Sequence, residues 1–217
     1  MKGLLEKDLR LMLSRKQSIL IFIVASLFVA FTMDGSFVVS YLTMLFTVIA
    51  ISTLSYDEYD NGFAFLMTLP FSRKTYVREK YIFTLLAEIA AWIISVIFYY
   101  VVNMIKGVRI DLLSEAPVLL MYLPLLFLMA CMMLPIQFRF GAEKSRTAYF
   151  IVIGGLAVLL FIVFKLIGSG DGSVDIIETA LSFLLSPVGI IMVTAAFLIL
   201  VAVSYLLSVR IMEKKEF

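Results

Sequence analysis

The sequence predicts an all-α membrane protein of six transmembrane helices, with N- and C-termini in the cytoplasm. Three observations predict it. Hydrophobic residues make up 63% of the chain and charged residues 16%, whereas a soluble domain is nearer half apolar and a quarter charged. The charges punctuate apolar stretches long enough to cross about 30 Å of hydrocarbon at about 1.5 Å per residue. Lysine and arginine are segregated between alternate connections. The length of 217 residues suits one transmembrane domain over 1–217, with no second soluble domain.

The apolar stretches set the elements in order. The first covers 17–33, between Lys16 and Asp34, and the second covers 35–56, ending at Asp57. The third covers 81–105 and is interrupted by Glu88; the fourth and fifth cover 116–138 and 147–164. The uncharged run 179–209 is too long for one upright span, and Pro187 and Gly189 divide it. The sixth span is therefore expected over 187–209, with a short helix at the outer surface over 174–186. Helices are the right element because lipid offers the backbone no hydrogen-bond partners. Barrel strands would alternate in polarity, and these runs do not. The first run is too long for a signal-peptide core, so no cleavable signal is expected.

Orientation follows from the basic residues. Fifteen of the 18 lysines and arginines fall before span one, between spans two and three, between four and five, or after six. Only Lys106, Arg109 and Lys165 fall on the other side. Positive charge marks the cytoplasmic side, so both termini are expected inside.

Composition also excludes chemistry. There is no histidine, and Cys131 is the single cysteine, so no internal disulfide can form and the commonest metal ligand is missing. No metal-ligand cluster, catalytic carboxylate pair or phosphate-binding G-x-x-x-x-G-K-[ST] loop is present. Gly154-Gly155 reads as a small-residue packing site in a span. A membrane protease or lipid hydrolase would lack its working residues, and no cofactor is expected in this chain.

The cytoplasmic segments carry more information. Residues 1–16 place Leu5, Leu9, Met12 and Leu13 at helical spacing, with Leu4 beside them and Lys2, Glu6, Lys7 and Arg10 elsewhere. This is a basic amphipathic helix for the membrane interface. Two readings stand: a positive anchor that sets topology, or an elbow that also contacts a cytoplasmic partner. The segment 57–73 is longer and more apolar than a plain connection needs. Asp60 or Asn61 can start a helix, Phe63, Leu66 and Met67 share a face, Pro70 ends it, and Ser72 can cap the next helix. That apolar face either docks another protein or folds against the bundle or lipid.

Glu58, Gly62, Leu66 and then Leu69-Pro70-Phe71-Ser72-Arg73 resemble the signature of bacterial type-2 ABC exporter permeases, membrane subunits that pair with a separate ATPase. The second cytoplasmic connection, Leu134-Pro135 through Phe140-Gly141-Ala142-Glu143-Lys144-Ser145-Arg146, is similar to a loop of one branch of that family. That branch exports phenol-soluble modulins and antimicrobial peptides. The resemblance implies that Asp57, Glu58, Tyr59, Asp60, Gly62, Phe63, Leu66, Met67, Leu69, Pro70, Ser72 and Arg73 form a coupling segment on the ATPase. It implies a lesser contact through Phe140, Gly141, Glu143, Lys144 and Arg146. Two ATPase copies would bind ATP and Mg, and a second permease copy would complete the transporter in the bacterial cytoplasmic membrane. The implied cargo is an amphipathic peptide; no nucleic-acid partner is implied. A second expectation is a binding or immunity module that sequesters peptides without pumping them.

Glu88 is the acid inside a span and is a candidate for the translocation path. The alternative is structural, pairing across the bundle or sitting near Lys80 or Lys144. Pro124 and Pro135 are expected to bend span four.

Overall fold

The computed structural model describes residues 2–33, 36–59, 62–108, 111–168 and 186–215. Among them every regular element is an α-helix. These are α1 (Lys2–Ser14), α2 (Lys16–Thr32), α3 (Phe37–Glu58), α4 (Gly62–Met67), α5 (Arg73–Lys106), α6 (Leu112–Gly168) and α7 (Pro187–Lys214). Residues 34 and 35, where the first two predicted spans meet, lie outside the described residues, as does the outer short helix up to residue 185.

Local chemistry explains the boundaries. Ser72 caps α5, its Oγ accepting from the Thr75 N–H at 3.2 Å. Gly107 ends α5 in the left-handed region at φ 73°, a conformation that costs a residue without a β-carbon little. Ser186 caps α7 through the Gly189 N–H at 3.1 Å, with Pro187 at the first helical position. Between α1 and α2 the chain bends by 63° at Arg15.

The largest departure from expectation is α6. Spans four and five were expected to be joined by a loop near 139–146; instead helix runs to Gly141 and resumes beside it. Gly141 has φ 71° and ψ −178°, the non-helical dihedrals within α6. Pro117, Pro124 and Pro135 lie inside the helix without such a break. The Tyr149 hydroxyl lies 3.2 Å from the Met133 carbonyl and 3.1 Å from Gln137 Oε1. Residues 12 and 16 apart in one straight helix would be about 18 and 24 Å apart. The two halves of α6 therefore fold back on each other.

Among the described residues four helices are long and apolar enough to cross a membrane, and a fifth span is counted if α1 and α2 act as one. The first predicted span falls short alone because α2 has 17 residues, about 26 Å at the helical rise.

Helix α3 lies at the centre, packed against α1, α2, α4, α5 and α6. Tyr81 ties α5 to α7 through Ser204 at 2.6 Å and Ser208 at 2.8 Å. Thr43 and Ser95 join α3 to α5 at 3.2 Å. Such bonds hold helices together where lipid competes for apolar surface. The apolar side chains along α7, among them Leu198, Ile199 and Leu200, remain exposed for lipid or a partner.

Candidate functional site: the ion-paired platform

One end of the bundle gathers α1, α4, the end of α3, the start of α5, the fold of α6 and the end of α7. At its centre is a buried ion cluster. Lys80 is 2% exposed and pairs with Asp8 and, at 2.8 Å, with Asp57. Lys7 pairs with Asp57 and, at 3.2 Å, with Asp8. The Tyr76 hydroxyl donates to Asp57 at 2.6 Å, and Thr53 lies 3.3 Å from Asp8. Burial opposes the charge on Lys7, but Asp57 and then Asp8 outweigh it and hold the ammonium above its usual range. Asp57 thus spends its charge inside the chain, tying α3 to α1 and α5.

Asp8 had no place in the sequence reading. Of the apolar residues assigned to the face of α1, Leu4 and Met12 are buried and Leu9 and Leu13 are exposed; Asp8 completes the stripe packed on the bundle. The 4-residue spacing of that stripe was visible, but an acid in the middle hid it.

Glu58 joins three elements. One oxygen accepts the Ala142 N–H at the break in α6, and the other pairs with Lys215 at 2.9 Å. Lys215 also donates to the Phe138 carbonyl at 3.3 Å and stands 4.8 Å over the Phe63 ring. The two connections that sequence treated as separate contacts are therefore bonded together.

Helix α4 is apolar on both sides. Phe63 and Leu66 turn inward, Phe63 edge-on to Tyr76 at 5.7 Å. Gly62 is required there, since a β-carbon would stand 2.7 Å from the Asp57 carbonyl oxygen. Phe65, at 69% exposure, and Leu69, at 39%, face out, beside exposed Pro70. Met67 is half-buried. Sequence reasoning chose the Phe63 face and passed over Phe65, because six residues are too few for periodicity to single out one side.

Arg73 donates to the carbonyls of Met212 and Glu213 at 3.1 and 2.6 Å, closing the end of α7 as a cation suits a helix C-terminus. Tyr59 is exposed, and so are Phe140 and Lys144. Asp60 and the side chains of Glu143 and Arg146 lie outside the described residues. Glu88 is fully buried in α5 and neither carboxylate oxygen has a hydrogen-bond partner among the described residues. Lys80 is taken by Asp8 and Asp57 and does not serve it.

A cleft of about 850 Å³ opens beside this platform, between α3, the α1–α2 bend and the fold of α6. Glu88 is not among the residues lining it.

A bundle with several apolar helices of spanning length and a polar, ion-paired end is a multi-pass membrane protein. Residues 3–213 match the family model described as ABC-2 family transporter protein, and the chain belongs to that family. It is a permease subunit of an ABC transporter, a transport subunit without its own ATPase, and the family implies an ABC ATPase as partner. No curated protein and no solved structure matches the chain.

Proposed function

We propose that this permease is the membrane half of an ATP-driven exporter for amphipathic cargo, peptide toxins or antimicrobial peptides. Six spans, both termini in the cytoplasm and α1 as an interfacial elbow complete the reading; the basic-residue bias supports it. Two permease copies act with two ATPase copies.

The observation that carries the coupling is the outward face of α4. Phe65 is an exposed apolar side chain on a helix whose other face is anchored to the bundle, and exposed Leu69 follows two residues past the end of that helix. An exposed apolar anchor on a rigid base suits a pocket on a partner. Asp57, Glu58, Gly62, Phe63, Leu66, Ser72 and Arg73 hold that face in place. Closure of the ATPase pair on ATP would push α4, and the Glu58 link would carry the push to the fold of α6.

The test is reconstitution with the partner ATPase in proteoliposomes. Phe65→Asp is expected to abolish copurification of the ATPase and ATP-dependent peptide movement while leaving the permease melting temperature unchanged. Retention of both activities by that variant would remove α4 as the coupling element.

A further inference from the structure

The cleft beside the platform has a polarity gradient. Its cytoplasmic mouth carries Arg15, Ser18, Ser55 and Tyr56; its deeper wall is Phe22, Val48, Ile49, Ile51 and Met133. Residue number sets depth here, because α2 and α3 run in opposite directions and both put their polar ends at the mouth. The Arg15 guanidinium stands 4.2 Å over the Tyr56 ring, and among the described residues no ion pair involves Arg15. Three cations of the platform, Lys7, Lys80 and Lys215, pair with acids. A smaller hollow of about 310 Å³ shares Ser55, Tyr59 and Ala142 with the mouth and is lined by Lys144, a second cation, and by Glu58, whose carboxylate is paired with Lys215.

We infer that this cleft binds an anionic amphiphile, its apolar chain against the deep wall and its anionic head at Arg15. The volume lies within the range of small-molecule sites, which are mostly apolar with a few placed polar groups. A guanidinium stacked on an aromatic ring is held in position for a carboxylate, sulfate or phosphate and has little rotamer freedom left to lose. The same chemistry describes the acidic end of an exported amphipathic molecule and an inner-leaflet phospholipid. The assignment of the occupant as cargo rests on the exporter reading above; the site itself does not.

The experiment uses the full chain in nanodiscs of zwitterionic lipid, without nucleotide, and a photoactivatable fatty acid as probe. Cross-links are expected on α3 near 48–52, on Phe22 and on Met133. Arg15→Gln is expected to weaken fatty-acid binding about tenfold, the scale of a charge-assisted contact, and to leave an uncharged monoacylglycerol of equal chain length within about twofold. Arg15→Lys should restore most of the affinity. Displacement of the probe by phosphatidylglycerol in the nanodisc identifies bilayer lipid as the occupant. Its retention there identifies a free amphiphile; both outcomes support the site. Cross-links that map elsewhere, a cleft sealed by a second copy, or an equal loss for both head groups overturns it. A labelled cleft in a protein that moves no cargo with ATP keeps the site and removes the exporter reading.

Discussion

The Glu58 carboxylate stands against Gly141, 2.9 Å from where a β-carbon on that residue would be. The same carboxylate accepts the next N–H of the chain, from Ala142. Gly141 is thus constrained twice: by φ 71° with ψ −178°, and by an oxygen in the place of a side chain.

Gly141→Ala should therefore destabilise the protein by about 1–3 kcal/mol from backbone strain, with the contact adding to it. Thermal unfolding in detergent checks this. Measured against Glu58→Ala, Gly141→Ala should cost less by the contact part and keep the strain. No cost in that background would place the whole of it in the contact.

Lys80 sits between two buried acids, so Lys80→Met leaves Asp8 and Asp57 with Lys7, which is partly exposed, as the cation they still share. Breaking a buried pair on one side costs roughly 3–5 kcal/mol, largely from the charge left behind. Adding Asp8→Asn should return part of that loss. The melting temperatures of the single and double variants measure it; a double variant no better than the single counts against a shared network.

The two faces of α4 should respond in opposite ways. Phe63→Ala opens a cavity under Tyr76 and is expected to cost about 3–5 kcal/mol, whereas Phe65→Ala should change stability by no more than about 0.5 kcal/mol. Unfolding curves of the two variants separate them. Equal losses would mean that Phe65 also packs inward.

Lys7 gives a pH signature. Its pKa is raised in the folded protein above the ordinary 10.5, so the folded state holds the proton more tightly. Its stabilising contribution is complete below about pH 10.5 and is lost as pH rises through the folded value. The melting-temperature difference between wild type and Lys7→Met should stay level from neutral pH to that point and shrink above it. A difference that grows with pH would reverse the sign of the coupling.

Much of the architecture was legible in the residues. The apolar runs that became α3, α5 and α7, the Ser72 cap and the start of α7 at Pro187 are local events. They depend on neighbours within about one helical turn, so sequence alone carries them. The break in α6 was legible only as a basic connection of several residues. A single glycine makes it, because Glu58 supplies the acceptor that a longer loop would have found in water.

Apolar composition and the spacing of charge determined that this chain is helical and lives in a membrane, since desolvation of the backbone leaves no other choice. Which face of α4 points outward, which of the acids near Asp57 is spent internally, and that Asp8 and Lys80 meet across 72 residues were decided by tertiary packing. Those outcomes depend on which side chains come within a few ångströms when helices dock, and that information is not local to any stretch of the chain.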